Sequence, residues 1–318
     1  MKIFVAGAAG TLGRPLVRAL SARGHEVTGL TRSSARRSLI ESDGARAVVA
    51  DALDADRLTA VVREARPTHV VHLLTAIPPG GPLRPRDLRG TNLVRREGTR
   101  NLLRAAIAAG ARRMVAESFL SVYGAADVPE PWREEDPFAD PGSGPLRDTV
   151  LALRDLEDQL RQASEGGSIE TVALRFGGFY GPSVPSTEEM VRQIRAGRSF
   201  SPRAGGGLLS FIHIEDAVSA TVAALETERP GAHYNVVDDE PLSLAEFLAL
   251  AAEAFGGRPP RLAPSWLLRL VAPVVFEMAS WRIPLSNAKA KRELGWAPSH
   301  PSAREGLRET ALAIRKAA

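Results

Sequence analysis

Three glycines near the start of the chain have the spacing of a phosphate-binding turn. Gly7, Gly10 and Gly13 are three residues apart in the segment G-A-A-G-T-L-G. Glycine permits a tight turn, lets the backbone approach a pyrophosphate, and lets the following helix pack closely on its strand. The first amides of that helix, after Thr11 and Leu12 in the turn, would then face the phosphates at the positive end of the helix dipole. The spacing therefore predicts that these five residues bind a dinucleotide.

The residues after the next strand indicate which dinucleotide is preferred. A carboxylate there would hold the ribose hydroxyls and repel a 2′-phosphate. This chain instead has Thr31 and Arg32, followed by Arg36 and Arg37. Because arginine pairs with phosphate through its forked donors, we predict that Arg32 and Arg36 contact a 2′-phosphate and that the cofactor is NADP(H) rather than NAD(H). The alternative is a solvated basic loop.

The elements that must position these residues can be read from the same sequence. Residues 2–6 form a short apolar run typical of a buried strand, residues 14–23 follow as a helix, and residues 26–30 form the next strand. Strand-like and helical stretches then alternate along the chain, which predicts a doubly wound parallel sheet of the Rossmann type. We therefore predict an α/β fold.

Composition limits the classes of function. The 318 residues suffice for a Rossmann domain and a smaller one, and the 44% hydrophobic and 25% charged fractions are ordinary for a globular protein. The chain has no cysteine, which excludes disulfides and makes a cytoplasmic location the expectation. Its net charge of +4 is spread among many arginines, so we expect no nucleic-acid partner. The apolar stretch 266–276 is too short to span a bilayer, so we expect no membrane partner.

Longer motifs resemble the extended, epimerase/dehydratase-like branch of the short-chain dehydrogenase/reductase superfamily. They include V-H-L-L-T-A at 71–76, G-T-R-N-L-L at 98–103 and S-F-I-H-I-E-D-A at 210–217. The resemblance covers nearly the whole chain. It implies a dinucleotide-binding domain from residues 1–177 with 207–239 and a smaller, mostly helical C-terminal substrate domain from residues 178–206 with 240–318.

The resemblance also implies further contacts with the cofactor. These come from Asp51, Ala52, Leu73, Thr75, Asn92, Phe176 and Gly178. For Asp51 the alternative is a cap for the helix that begins near residue 54, and His72 is expected to be a packed core residue. We expect one long helix over residues 86–109, which is similar to the family's N-x-x-G-T-x-N-L-L helix but has a longer gap between Asn92 and Gly98.

The usual catalytic residues of this family are missing. Active members carry a Tyr-x-x-x-Lys pair on the helix after the fifth strand and a Ser or Thr at the end of that strand. Residues four apart share one helix face, so the lysine can prepare the tyrosine to exchange a proton during hydride transfer. The corresponding residues here are Thr149, Leu153 and Phe119. No lysine occurs in residues 3–288 and no tyrosine in residues 124–179, so another register does not restore the pair.

Other groups could take over the chemistry. The candidates are Tyr123, Glu117, Ser118, Ser121, Thr149 and Arg154. Tyr123 is the leading proton donor, and Glu117 is the second because burial would raise its pKa toward neutrality. Arg154 would replace the positive charge of the lysine, and the serines would hydrogen-bond a substrate carbonyl. The alternatives are packing for Tyr123, an ion pair with an arginine for Glu117, loop capping for the serines, and a surface salt bridge near Thr149 and Arg154.

These observations leave three interpretations of function. The first is an NADP(H)-dependent oxidoreductase that acts on a small carbonyl or alcohol with non-standard catalytic residues. The second is a redox-neutral isomerase, dehydratase or cyclase, and the third is a catalytically silent NADP(H)-binding protein. The intact pattern of the substrate domain favours an enzyme with a small-molecule substrate, and we expect no metal ion. The apolar side chains of residues 266–281 fit a substrate lining, a core or the face of a homodimer.

Overall fold

Seven parallel strands form the central sheet of the computed structural model, which describes residues 1–124, 130–202, 207–228 and 232–317. Together with six shorter strands outside this sheet, the strands of the described residues are β1 (Lys2–Ala6), β2 (Glu26–Thr31), β3 (Arg46–Val49), β4 (His69–His72), β5 (Arg113–Phe119), β6 (Glu170–Phe176), β7 (Gly178–Tyr180), β8 (Phe200–Pro202), β9 (Leu208–Leu209), β10 (Phe211–His213), β11 (Ala232–Val236), β12 (Arg261–Ala263) and β13 (Arg282–Ile283). Their order in the large sheet is β11-β6-β5-β4-β1-β2-β3. The order reverses between β1 and β4, and ligands of doubly wound sheets bind at the carboxyl ends of such strands.

Helices cover both faces of this sheet. They are α1 (Gly13–Ala22), α2 (Arg37–Ser42), α3 (Ala55–Ala65), α4 (Arg89–Leu93), α5 (Thr99–Ala108), α6 (Arg147–Glu165), α7 (Pro185–Arg195), α8 (Ile214–Glu226), α9 (Leu244–Ala254), α10 (Ser265–Val271), α11 (Pro273–Ser280), α12 (Ala288–Leu294) and α13 (Ala303–Ala317). Helices α1 and α8 pack on one face, and α3, α5 and α6 on the other. In α1, Leu16, Val17 and Leu20 recur at helical spacing and are buried against the sheet. The predicted Rossmann-type fold class is confirmed.

The remaining elements form the mostly helical C-terminal part. Three two-stranded parallel pairs, β7–β10, β8–β12 and β9–β13, lie outside the large sheet. Trp281 is buried in its core, whereas Trp266 and Leu270 are each 68% exposed. Their exposure excludes these two residues from the core. A substrate lining and a homodimer face remain as alternatives for them. No helix in the described ranges is long and apolar enough to cross a membrane.

The long helix expected over residues 86–109 is present as a continuous helical path, but it is not a regular α-helix. Residues 85–88 form a 3₁₀ turn, α4 ends at Leu93, a π-helical segment spans Val94–Gly98, and only then does α5 begin. The wider π turns take up additional residues without ending the helical path, which accounts for the longer gap between Asn92 and Gly98. Strand β5 continues to Phe119, so Glu117 lies inside the strand.

Candidate functional site

The glycine turn leaves no room for side chains between β1 and α1. Gly7 has a φ of +93°, and a Cβ there would lie 2.5 Å from the carbonyl oxygen of Leu73. A Cβ at Gly13 would lie 2.1 Å from the carbonyl oxygen of Gly7. Helix α1 begins at Gly13 without a side-chain cap at Leu12, so its first-turn amides are not covered by a side chain. A cradle of backbone amides at a helix N-terminus fits the pyrophosphate of a dinucleotide.

Two of the predicted adenosine-side residues have clear structural partners. The Asp51 carboxylate accepts a hydrogen bond from the Leu53 amide at 2.9 Å. The cap of α3 is Asp54, which accepts from the Arg57 amide, so the alternative that Asp51 caps this helix is wrong. Ala52 is buried, and its carbonyl oxygen accepts from the Asn101 side chain at 3.0 Å. Asp51 is exposed and keeps one carboxylate oxygen for a ligand.

The basic residues after β2 are available to a ligand. Arg32 and Arg36 are exposed, and in the described part of the chain neither forms an ion pair. Arg37, in contrast, pairs with Glu41 one helical turn away at 3.5 Å. Two unpaired guanidinium groups beside the end of β2 fit a 2′-phosphate, although exposure alone also fits a solvated loop.

The other residues assigned by resemblance differ in their access to this site. Leu73 directly follows β4 and its carbonyl lies against the glycine turn, while Thr75 is exposed. The Asn92 amide nitrogen donates to Asp148 on α6 at 2.8 Å, and its buried oxygen has no partner in the described residues. Phe176 is completely buried, with its ring 5.2 Å from that of Phe179, so the structure explains Phe176 as a core residue.

Gly178 lies where the chain leaves β6. Its amide donates to the carbonyl of Ser210 at 2.9 Å, and a Cβ there would lie 3.1 Å from the ring of Phe211. Gly178 therefore lets β7 pack closely beside β10, independently of any contact with the cofactor.

Tyr123 belongs to a buried polar network. Its hydroxyl donates to Asn235 Oδ1 at 2.8 Å and accepts from Arg175 Nη1 at 2.8 Å. Arg175 also pairs with Glu157 at 2.7 Å, and Ser118 Oγ donates to the same carboxylate at 2.6 Å. The network joins β5, α6, β6 and β11.

This network argues against Tyr123 as the proton donor. Its ring is completely buried, and burial raises the pKa of Tyr123 above its ordinary value, although Arg175 opposes the shift. Ser118 is also completely buried, with its hydroxyl committed to Glu157. Both residues are better explained as supports of the sheet than as groups that meet a substrate.

The remaining candidates also have structural explanations. Arg154 donates to the carbonyls of Val122 at 3.0 Å and Ala139 at 2.6 Å, so its guanidinium holds two loops and does not form the surface salt bridge that was the alternative. The Ser121 hydroxyl is buried without a partner in the described residues. Thr149 is 5% exposed on α6, and Leu153 is completely buried beneath it. The helix face that carries the catalytic pair in the family is therefore closed here and has the Thr149 hydroxyl as its polar group.

Glu117 is the candidate with suitable chemistry. It lies near the carboxyl end of β5, on the same strand face as Phe119. Its side chain keeps some contact with solvent, yet the surrounding protein raises its pKa to about 7, an effect that Arg95 partly opposes. The alternative for Glu117 was an ion pair with an arginine, but in the described structure neither Arg95 nor another arginine forms a direct ion pair with it.

Arg95 is a residue that the sequence reasoning missed. It lies in the π-helical segment, is only 4% exposed, and also lowers the pKa of the neighbouring His72. His72 itself is buried with a pKa of about 4, mainly because of desolvation, and it bonds Thr99 at 2.8 Å. It is therefore a neutral core residue, as expected. The available signal was that Arg95 lies three residues before Gly98, where the family pattern has asparagine.

A second cluster that the sequence reasoning missed joins α8 to the C-terminal helix. His300 bonds Asp216 at 2.9 Å and Glu309 at 3.0 Å, and its ring stacks on His213 at 3.8 Å. His213, Glu215 and His300 bring potential metal ligands within 4.8 Å of one another. Both ring nitrogens of His300 face carboxylates, however, so the arrangement is a hydrogen-bonded chain, and the raised pKa of His300 comes first from Asp216.

The parallel sheet and the glycine cradle define a dinucleotide-binding enzyme of the Rossmann class. Residues 3–237 match the NAD dependent epimerase/dehydratase family, and the chain belongs to that family. It is thus an NAD(P)-dependent enzyme of the oxidoreductase and epimerase type.

Known relatives cover the whole chain. A 3-diazoavenalumate denitrifying reductase from Streptomyces sp. is 39% identical over 312 residues, which are 96% of this chain and 99% of the relative. A UDP-glucose 4-epimerase from Mycolicibacterium smegmatis is 30% identical over 98% of this chain and 97% of its own. The crystal structure of the Thermus thermophilus UDP-glucose 4-epimerase in complex with NAD superposes with a TM-score of 0.83 at 25% identity and covers all of both chains.

Proposed function

We propose that this chain is an NADP(H)-dependent reductase of a small molecule, with Glu117 in place of the family's tyrosine–lysine pair. The observation that carries the proposal is a carboxyl group with a pKa of about 7 that solvent still reaches, at the carboxyl end of β5. General acids work best when their pKa lies near the working pH. The Streptomyces relative, which is named a reductase, supports reduction over epimerisation.

The preference for NADP(H) rests on the residues after β2. Arg32 and Arg36 offer two charged, unpaired groups there, and no carboxylate lies at the end of that strand. The T. thermophilus relative binds NAD, so this preference would distinguish the two proteins.

With a carbonyl substrate, each residue has a defined task. The glycine turn holds the pyrophosphate, and the bound dinucleotide supplies a hydride. Phe119 excludes water from the position where the family has a hydroxyl. Glu117 donates its proton to the carbonyl oxygen as the carbonyl carbon is reduced, and solvent then returns a proton to the carboxylate. The product is an alcohol, and the two hydrogens come from the cofactor and from Glu117.

The residues at the family's three catalytic positions favour a second class of hydride acceptor. Phe119, Thr149 and Leu153 offer no relay of protons to a substrate oxygen. A diazonium group is already positively charged, so addition of a hydride to its terminal nitrogen gives a neutral diazene and leaves no oxyanion to protonate. The name of the Streptomyces relative includes a diazo substrate and the loss of nitrogen, which supports this acceptor for the present chain.

One experiment tests both candidates. The protein is mixed with NADPH and either a panel of small aldehydes and ketones or a stable aryldiazonium salt, and oxidation is followed at about 340 nm against blanks without protein. Glu117→Gln should abolish carbonyl reduction and spare diazonium reduction. If the protein binds NADPH but oxidises it with neither the carbonyl compounds nor the diazonium salt, the reductase proposal is refuted. A redox-neutral enzyme and a catalytically silent NADP(H)-binding protein then remain as interpretations.

A further inference from the structure

Arg95 differs from the other buried arginines of the described residues. Arg95, Arg113 and Arg175 are 4%, 2% and 2% exposed. Arg113 pairs with Glu170 at 2.7 Å, and Arg175 pairs with Glu157 at 2.7 Å. In the described structure the guanidinium of Arg95 forms neither an ion pair nor a hydrogen bond. A guanidinium group that is only 4% exposed and has no charged partner is costly, because a buried charge needs compensation.

The surroundings of Arg95 place it beside the active-site edge of the sheet. It is close enough to lower the pKa values of His72, at the end of β4, and of Glu117, near the end of β5. These two strands are neighbours, with His72 paired to Ala116. His72 is neutral and its ring nitrogens are both engaged, so Glu117 is the only acidic group facing Arg95 in the described residues. Glu117 itself forms no hydrogen bond in the described residues. The guanidinium donors of Arg95 and the carboxyl group of Glu117 are therefore both without hydrogen-bond partners near the ends of β4 and β5.

We propose that Arg95 binds a planar oxyanion of the substrate, a carboxylate or phenolate, so that the substrates of this enzyme are small organic acids. This inference rests on the proposed reductase function and specifies its substrate class. The fork of a guanidinium matches two oxygens of a carboxylate through parallel hydrogen bonds. The bound anion neutralises Arg95, and its negative charge favours the protonated form of Glu117, the form that donates a proton.

The stability of the empty protein gives an independent readout. If Arg95 supports the fold, Arg95→Met will lower the melting temperature. If its donors are reserved for a ligand, replacing the uncompensated charge with an apolar side chain of similar length will leave the melting temperature unchanged or raise it. Arg96→Met is the matched control, because Arg96 lies on the same π segment but is partly exposed and already pairs with Asp148 at 2.7 Å.

The binding test compares trans-cinnamate with its neutral methyl ester by calorimetry on protein saturated with NADP⁺. Wild type and Arg96→Met should bind cinnamate about 10- to 100-fold more tightly than the ester, the scale of a charge-assisted pair. Arg95→Met should lose this preference and keep its affinity for the ester. Should Arg95→Met not fold, Arg95→Lys takes its place: cinnamate affinity should fall while ester affinity stays the same.

Two outcomes overturn the inference. Wild-type protein that binds the acid and the ester equally has no oxyanion site, and Arg95→Met protein that keeps the preference has its site elsewhere. A separate titration with NADPH distinguishes this failure from that of the proposed function. Absence of NADPH binding refutes the proposed function, whereas normal NADPH binding without a preference for the anion refutes the role of Arg95 alone.

Discussion

Glu117→Gln is the most informative substitution in this protein. At pH 7 a carboxyl group with a pKa of about 7 is protonated in about half of the molecules, whereas at its ordinary value of 4.5 only about 0.3% would carry the proton. The site thus raises the population of the acid about 150-fold. Glutamine keeps the shape of the side chain but has no such proton. We expect carbonyl reduction to fall about 100-fold or more, the contribution of a general acid.

The pH profile is the decisive measurement. Because the protonated form is active, kcat/KM of the wild-type enzyme should decline above about pH 7, tenfold per pH unit at the alkaline end. Glu117→Gln should lack this decline. Glu134→Gln is the matched control, since Glu134 is also a buried glutamate with a pKa raised mainly by burial, but its carboxylate accepts from the Asn235 amide at 2.8 Å. Full activity in Glu117→Gln, or an unchanged alkaline decline, would refute the assignment.

The same carboxyl group makes a prediction about stability. Its pKa is raised on folding, so the folded state binds more protons than the unfolded state between about pH 4.5 and 7. Stability is therefore lost as the pH rises through this window. At pH 8 the Glu117→Gln protein should be more stable than wild type, by on the order of 3 kcal/mol at most. At pH 4 the difference should vanish, and thermal unfolding at both pH values would show it.

Three further substitutions test the rest of the site. Arg32→Ala should narrow the preference for NADPH over NADH by about 1–3 kcal/mol, and equal affinities of wild type in a fluorescence titration would contradict the preference. Gly10→Val should abolish NADPH binding with the fold intact, since a Cβ at Gly10 lies 3.0 Å from the Gly7 carbonyl oxygen; calorimetry that shows unchanged affinity would place the dinucleotide elsewhere. Tyr123→Phe should cost about 1–3 kcal/mol of stability, because Arg175 and Asn235 lose their partner, yet leave kcat nearly unchanged; a loss of kcat without a loss of stability would restore Tyr123 as the acid.

The fold could be predicted because local sequence patterns determine its elements. The glycine turn, the apolar run of β1 and the spacing of Leu16 and Leu20 in α1 each encode their element over a few residues. The missing catalytic pair was also visible, because it depends only on where lysine and tyrosine occur.

The details of the site depended on contacts between distant segments. Tyr123 was the leading acid on sequence grounds, but Asn235 and Arg175, which engage its hydroxyl, lie 112 and 52 residues away. Glu117 was recognisable from its place in a strand, whereas the absence of an ion pair to Arg95 was not. Helical periodicity did not predict the π segment, because α-helical and π-helical turns contain the same kinds of residues.

The π segment has a mechanical consequence. A regular α-helix turns by about 100° per residue. Each additional residue in a wider turn therefore rotates the helical segment before it relative to the segment after it. Deleting Arg96 would let the helix close into regular turns and would swing Arg95 away from Glu117, while the face of α5 that packs on α3 stayed in place. The π segment therefore sets the rotation of α4 relative to α5. This angle can therefore change the position of Arg95 without changing how α5 packs on α3.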